Sequence, residues 1–478
     1  MPIVDSDFAV VVDTPYGSLR GLPDDRGKGV EFRGVRFATA ERFKPPVPVT
    51  SWFGVYDATS YGAQCPQSSS MLERALGGGS LAASEDCLSL NVFTPACDDR
   101  ARPVVVWIHG GAFTTGTGST PWYHGGALAT RGDVVVVTIN YRLGVFGFSG
   151  RTNCGLRDQV VALQWVQACI ASFGGDPAAV TIMGESAGGA SVVALMATPG
   201  AAGLFHHAVA MSPSLKQLRS GERADEALAE FLTVAEAASL DELRDAPVDL
   251  LIDVQSKILA PTTAGFTGFS PCCDGDFVTL PILETAVVNP IPFVIGTTRD
   301  EMRLFHAFDP AVIALDEVAL LDHAERRFPG RGEHAVDQYR GARIDADVPR
   351  LYSAILTDEV FRRPMLAFAD ARAAAGMPTW TYWFTWASPA FDGVLGSCHA
   401  VDIPFAFHNF DRDGVEQFIG NDSLRTHVAD AYAGAMIALA QRGEPGWPRH
   451  DLETRPMMVF DVHSRVEHDP DETVRRLW

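Results

Sequence analysis

The chain is predicted to form an α/β fold around a mostly parallel central β-sheet. Short runs of β-branched residues alternate with stretches of helical periodicity, and each run is apolar along its whole length. Continuous apolar runs are typical of strands that helices cover on both faces. The predicted strands are Val104–Ile108, Val134–Ile139, Val180–Met183, His207–Met211, Pro292–Ile295 and Thr379–Phe384.

Three stretches are predicted to be helical. The first lies between the second and third predicted strands and ends at Gly174-Gly175-Asp176-Pro177. The others are Gly221–Ser256 and Glu317–Arg327. We expect a single domain over residues 1–478, with helical insertions at about 215–260 and 310–375 that cap one edge of the sheet. The first helix is indicated by apolar residues at helical spacing, namely Leu156, Val160, Leu163, Val166 and Ile170.

The composition limits the classes of function. Apolar residues make up 47% of the chain, which is enough for a large core. The formal net charge of −21 disfavours nucleic acids and anionic membrane surfaces as partners. No apolar run is long enough to span a membrane. Asp5 and Asp7 stand where a signal peptide would be basic, so a cytoplasmic location is expected. The eight cysteines lack the spacing of a metal site, and neither a metal nor an organic cofactor is predicted.

One motif points to covalent chemistry. Gly184-Glu185-Ser186-Ala187-Gly188 follows a predicted strand and precedes the helix-compatible segment Gly189–Met196. This is the strand, turn and helix context of a nucleophile elbow, in which small neighbours let the serine hydroxyl stand above the sheet edge. A glycine-rich turn into a helix would give the same pattern, so the motif alone leaves both interpretations open.

The sequence around this motif resembles the type-B carboxylesterases, the family that includes the cholinesterases. The likeness is carried by Phe173–Gly189 and continues in Glu85–Phe93, Asn140–Phe148 and Gly155–Gln159. It extends from about Gly17 to Met458. The resemblance implies an α/β-hydrolase fold, Ser186 as the nucleophile, and small to medium neutral esters as the small-molecule substrates.

A second glycine-rich segment is a candidate oxyanion hole. His109-Gly-Gly-Ala-Phe113 directly follows the predicted strand Val104–Ile108, and its small residues allow backbone N–H groups to converge where negative charge develops in acyl transfer. The resemblance implies that Gly111, Ala112 and Ala187 supply these groups. Phe113 is a candidate residue of the substrate pocket.

The general base and its acidic partner are expected downstream of the serine, in the order acid and then histidine. The resemblance of Gly396–Phe407 to the histidine-bearing segment of the family favours His399. Glu301 matches the family's glutamate, and the adjacent Asp300 is the alternative. Ser212 resembles a family serine that supports the triad by a hydrogen bond. The candidate histidines are His399, His408, His427, His450, His463 and His468.

Two further features concern redox state and specificity. Cys65 and Cys87 match the positions of a family disulfide, although a reducing cytosol would oppose that pairing. No tryptophan lies between them, so the cation–π site that binds choline in cholinesterases is not expected. The alternatives are a catalytically silent binding or adhesion module, and an amide, carbamate or polyester hydrolase that uses the same triad.

Overall fold

A computed structural model describes residues 9–68, 81–259, 268–344 and 346–478. Thirteen strands of these residues form one sheet, whose order is β1-β2-β3-β7-β9-β8-β10-β11-β12-β13-β14-β15, with β6 paired to β2. The pairs from β9 to β14 are parallel, and the outer pairs are antiparallel except for β2 with β6. The strands are β1 Val10–Thr14, β2 Gly17–Pro23, β3 Val30–Arg36, β4 Ala38–Thr39, β5 Val47–Pro48, β6 Val55–Asp57, β7 Ser89–Thr94, β8 Arg102–Ile108, β9 Val135–Ile139, β10 Gly175–Glu185, β11 His207–Met211, β12 Phe293–Thr298, β13 Thr379–Phe384, β14 Pro456–Phe460 and β15 Arg465–His468.

Helices cover both faces of this sheet, and the predicted α/β-hydrolase architecture is confirmed. All six predicted strands are present, as β8 to β13. The α-helices are α1 Gly126–Gly132, α2 Gly144–Phe148, α3 Cys154–Cys169, α4 Ala187–Met196, α5 Gly221–Val234, α6 Val248–Ile258, α7 Ile282–Val287, α8 Arg303–His306, α9 Pro310–Ile313, α10 Glu317–Arg327, α11 Gly332–Ala342, α12 Val348–Thr357, α13 Arg363–Ala374, α14 Ile403–Phe407, α15 Val415–Ile419, α16 Arg425–Arg442 and α17 Glu472–Arg475.

The two faces of the sheet bury two separate apolar cores. Along β8, Val104, Val106 and Ile108 belong to one core, whereas Val105 and Trp107 belong to the other. Successive side chains of a strand point to opposite faces, so a strand that is covered on both sides is apolar at every position. This is the physical basis of the continuous runs in the sequence.

One helix prediction is wrong in part. The stretch predicted as helical from Gly221 to Ser256 is divided into α5 and α6 by the turn segment 235–247. Glu236 has a φ of 53°, outside the right-handed helical region. Pro247 immediately precedes α6, and a proline there disfavours the helical conformation of the residue before it. Helices lie in both predicted insertions, and their role as caps stays a prediction.

The described part of the chain contains no helix that is both long and apolar enough to cross a membrane.

Candidate active site

Ser186 lies at a sharp turn between β10 and α4. Its backbone has a φ of 58° and a ψ of −118°, a conformation that L-residues rarely adopt. The turn is held by a hydrogen bond from Ser186 N to the carbonyl oxygen of Met211 (2.9 Å) on the neighbouring β11. The serine is therefore held at the carboxyl end of a central strand, where ligands meet sheets of this type.

The flanking glycines allow the close approach that this turn requires. A Cβ atom on Gly188 would lie 2.0 Å from the carbonyl oxygen of Ile108, and one on Gly184 would lie 2.5 Å from the carbonyl carbon of Gly188. Both contacts are with backbone atoms, which cannot rotate away. The Gly-x-Ser-x-Gly pattern thus has a steric cause here, in addition to its value as a motif.

Glu301 is fully buried just beyond the end of β12, and both carboxylate oxygens have partners. Oε1 accepts hydrogen bonds from Ser212 Oγ (2.6 Å) and Thr298 N (2.8 Å). Oε2 lies 2.5 Å from Nδ1 of His399. The structure thus brings together three of the predicted site residues, and the donors on Oε1 orient the carboxylate towards the imidazole.

Asp300, the alternative acid, faces a different set of groups. Its Oδ2 accepts hydrogen bonds from the Arg299 guanidinium (Nη2, 3.0 Å) and from Ser397 N (2.9 Å). Its own backbone N donates to the carbonyl oxygen of Ser397 (2.8 Å). Asp300 therefore fastens the loop that precedes His399, and no hydrogen bond joins it to the imidazole ring in the described residues.

The other ring nitrogen of His399 faces a residue that the sequence analysis did not select. Nε2 lies 3.0 Å from Oε1 of Glu185, the residue before the serine. Ser186 Oγ instead lies 3.4 Å from Ser214 Oγ. Among the described residues, no hydrogen bond joins Ser186 Oγ to His399. In this structure the carboxyl of Glu185, and not the serine hydroxyl, therefore faces Nε2 of His399.

Aromatic rings pack against the imidazole. The ring centroid of Phe361 lies 4.8 Å from that of His399, and the centroid of Phe305 lies 5.5 Å from it. Phe361 belongs to the π-helical turn Asp358–Arg362, which connects α12 to α13 within a predicted insertion. One side of the site is therefore apolar, and the predicted insertion contributes to it.

Two buried carboxyl groups beyond Glu301 determine the charge of the site. Burial raises the pKa of Glu185 to about 8 and that of Asp402 to about 7. Asp402 accepts a hydrogen bond from the Tyr432 hydroxyl (2.8 Å). Burial opposes protonation of His399, but the charges of Glu185 and Glu301 outweigh it and raise the pKa of His399 to about 9. The sequence carried a signal for both carboxyls, since Glu185 lies inside the elbow motif and Asp402 lies three residues after His399.

The candidate oxyanion donors lie at two loops near the serine. Gly111 and Ala112 have φ values of 105° and 52°, and Ala187 is the first residue of α4. None of these three backbone N–H groups donates a hydrogen bond to another described residue. A Cβ on the preceding Gly110 would lie 3.2 Å from Cβ of Ser186, so this loop runs directly past the serine. These three N–H groups therefore lie near the serine and have no hydrogen-bond partner among the described residues.

The remaining predicted residues lie in the core. Phe113 is fully buried with its ring 5.2 Å from that of Phe148, so its side chain exposes no surface to a substrate in this structure. Cys65 and Cys87 are both free thiols and both buried. Residues 69–80 of the segment between them lie outside the described residues. Among the described residues, no group of three or more His, Cys, Asp or Glu side chains could hold a metal ion.

Comparison with known proteins identifies the family. The sequence model of the carboxylesterase family matches residues 9–470. Para-nitrobenzyl esterase of Bacillus subtilis is 35% identical, with 98% of each chain covered. Phenmedipham hydrolase of Pseudarthrobacter oxydans is 34% identical over 96% of this chain and 97% of that protein.

The solved structures agree with the sequence comparisons. The crystal structure of a Geobacillus stearothermophilus carboxylesterase at pH 6.2 superposes with a TM-score of 0.85. The two chains are 38% identical, and the match covers 98% of this chain and 99% of the other. Since the family match, the relatives and the fold all agree, the chain belongs to the carboxylesterase family and is a carboxylic-ester hydrolase with an α/β-hydrolase fold.

Proposed function

We propose that the enzyme cleaves small to medium neutral esters through an acyl-enzyme intermediate on Ser186, with His399 as the general base and Glu301 as its orienting acid. The observation that carries this proposal is the buried contact of 2.5 Å between Glu301 Oε2 and His399 Nδ1, beside the strained turn at Ser186. The carboxylate accepts the Nδ1 proton of the imidazole and leaves Nε2, which faces Glu185 in this structure, as the nitrogen that takes the serine proton.

The chemical steps follow from these positions. Rotation of the Ser186 hydroxyl towards Nε2 gives the hydrogen bond through which His399 takes the proton as Oγ attacks the ester carbonyl. Gly111, Ala112 and Ala187 donate their N–H groups to the oxygen that becomes negative. The imidazolium then protonates the leaving alcohol, and water releases the acid from Ser186 by the same route. Glu301 stabilises each imidazolium and keeps its own charge.

Glu185 supports this scheme if its carboxyl is protonated near neutral pH, the direction in which burial moves its pKa. A neutral Glu185 removes one of the three carboxylate charges that favour the imidazolium, the others being those of Glu301 and Asp402. His399 can then act as a base at a pH at which it would be protonated if all three carboxylates were ionised. We infer that the buried carboxyls tune the base without taking part in bond cleavage.

The absence of a tryptophan between Cys65 and Cys87 and the names of the relatives support neutral esters as substrates. A para-nitrobenzyl esterase is among the relatives. The phenmedipham hydrolase favours a second candidate class, in which the same triad acts on carbamates or amides. Polyesters are a third class with the same tetrahedral intermediate. A panel of esters of increasing acyl length, run beside amide and carbamate analogues, decides between these classes.

Covalent labelling tests the nucleophile. A fluorophosphonate probe should label the wild-type enzyme, and Ser186→Ala should abolish both labelling and measurable ester turnover. Ser214→Ala is the matched control, because its hydroxyl lies 3.4 Å from that of Ser186. Labelling of Ser186→Ala, or its loss in Ser214→Ala alone, would show that the nucleophile is assigned wrongly.

A further inference from the structure

A cavity of about 340 Å³ lies behind the loop that carries Glu301. Among the described residues, its walls include four arginines, Arg299, Arg303, Arg343 and Arg350, and one carboxylate, that of Asp300. Such a concentration of positive charge is unusual in a chain whose formal net charge is −21. We call this feature the arginine cavity.

Two of these arginines are largely shielded from solvent and have unpaired donors. The side chain of Arg303 is 13% exposed, and its nearest acidic atom, Asp300 Oδ2, is 3.7 Å away, beyond hydrogen-bond distance. The guanidinium of Arg303 makes no hydrogen bond to any described residue, although its backbone N donates to the carbonyl oxygen of Asp300 (2.9 Å). The side chain of Arg343 is 10% exposed, and its buried Nε has no partner among the described residues. Because an unpaired donor in a shielded place is costly, these guanidinium groups favour a ligand that supplies acceptors.

The described acidic groups around the cavity lie beside arginines. Asp300 Oδ2 accepts from Arg299 and Ser397. Asp471 Oδ2 is shared by Arg343 (2.6 Å) and Arg362 (3.1 Å), and Asp347 Oδ2 lies 3.7 Å from Nε of Arg350. These carboxylates compensate part of the positive charge of the arginines, but they do not accept hydrogen bonds from all of the guanidinium N–H groups. Burial also lowers the pKa of the Arg303 guanidinium, which agrees with incomplete compensation.

We propose that the arginine cavity is a binding site for a small oxyanion, either a carboxylate or a phosphate. Guanidinium groups bind both through paired N–H···O contacts, and a volume of about 340 Å³ is within the usual range of small-ligand sites. Arg303 and Arg343 supply the donors that are most shielded from solvent. Arg350, which is more exposed, lies where the anion enters.

The site is linked to the catalytic loops through Asp300. This residue lies beside Glu301 in the chain and is joined by two hydrogen bonds to Ser397, two residues before His399. An anion that attracts the Arg299 and Arg303 guanidinium groups competes with Asp300 for them. Ester hydrolysis itself releases a carboxylate, so the product acid is one source of the ligand, and free or organic phosphate is the other.

Ligand-dependent stability tests this proposal on the whole enzyme. The Tm is measured with sodium phosphate and with sodium citrate up to about 20 mM, against sodium chloride at equal ionic strength, and affinities are measured by titration calorimetry. We expect a saturable rise in Tm with at least one oxyanion and none with chloride. A response to phosphate alone identifies a phosphate site, and a response to citrate alone identifies a carboxylate site.

Three variants locate the binding. Arg303→Met should weaken the affinity by at least about tenfold, and Arg350→Gln by about two- to fivefold. Arg465→Gln, an exposed arginine on β15, is the control and should leave the affinity unchanged. If Arg303→Met does not fold, the anion affinity of Arg350→Gln decides whether the anion binds in the arginine cavity. The proposal is wrong if the wild type shows no saturable binding, or if every folded cavity variant binds as the wild type does.

Discussion

Replacing Glu301 by glutamine keeps the volume of the side chain and removes its charge. The structure determines how the amide must sit. Oε1 accepts hydrogen bonds from Ser212 and Thr298, so the amide oxygen has to occupy that position. The amide NH₂ then points at Nδ1 of His399, where the carboxylate oxygen lies at 2.5 Å in the wild type. A donor at this place requires an unprotonated Nδ1, which puts the imidazole proton on Nε2.

The reversed tautomer cannot accept the proton of Ser186. For His399 to regain the tautomer with its proton on Nδ1, one of two mismatches has to be accepted. Either the amide flips, so that its NH₂ faces the donors of Ser212 and Thr298, or it stays in place and its NH₂ faces the N–H of His399. Two mismatched hydrogen bonds cost about 2–6 kcal/mol, which corresponds to a loss of kcat between about 30-fold and about 2.5 × 10⁴-fold. Without the carboxylate charge the imidazolium is also less stable. We therefore expect a loss of kcat near the upper end of this range, as in serine proteases.

The assay is kcat for one activated ester at saturating concentration. Asp300→Asn is the matched control, because the adjacent carboxyl faces Arg299 and Ser397. It should lower Tm by a few degrees and change kcat by less than about tenfold. Thermal melts of both variants exclude unfolding as the cause. A folded Glu301→Gln enzyme within tenfold of wild type, or a larger loss in Asp300→Asn, would refute the assignment.

Three further changes test the surroundings of the triad. Ser212→Ala removes the 2.6 Å hydrogen bond to Glu301, and kcat should fall by about tenfold while KM changes little. Glu185→Gln keeps the uncharged state that burial favours for Glu185, so the acid limb of the profile of kcat/KM against pH should move by less than about half a pH unit; a large shift to lower pH would show that Glu185 is ionised beside His399 and would contradict this reasoning. Choline esters should show no advantage over neutral esters of equal acyl length, and a large preference for choline would overturn the interpretation of the Cys65–Cys87 segment.

The central sheet was predictable because its strands carry their signal locally. β11 and β13 have the predicted bounds, and β8 differs by two residues at its start. A strand that is buried on both faces shows an unbroken apolar run whatever its neighbours are. The helical segment after Gly221 was less predictable, because helix-forming composition continued through the turn at Glu236. There the left-handed conformation of Glu236 and the proline at 247 override the helix propensity of the segment.

The positions of the site residues were predictable for a related reason. Ser186 follows β10 and Glu301 follows β12, and the carboxyl ends of parallel strands meet at one edge of a sheet. The choice between Asp300 and Glu301 needed resemblance, since neither composition nor spacing shows which of two adjacent carboxylates faces a histidine. The structure separates them by their donors, namely Ser212 and Thr298 on one and Arg299 and Ser397 on the other.

The protonation of the site could not be predicted from the sequence, because it depends on how deeply groups from distant segments are buried together. Glu185 and Glu301 contact one imidazole, and the charge of Asp402 also acts on it. If all three carboxyls were ionised, the histidine would remain a cation and fail as a base. Burial raises the pKa of Glu185 and of Asp402 towards neutrality. Glu301 instead accepts two hydrogen bonds on Oε1 and meets Nδ1 of His399 with Oε2. The three carboxyls therefore differ in role because of their surroundings, and Glu301 is the one that is placed to orient the imidazole.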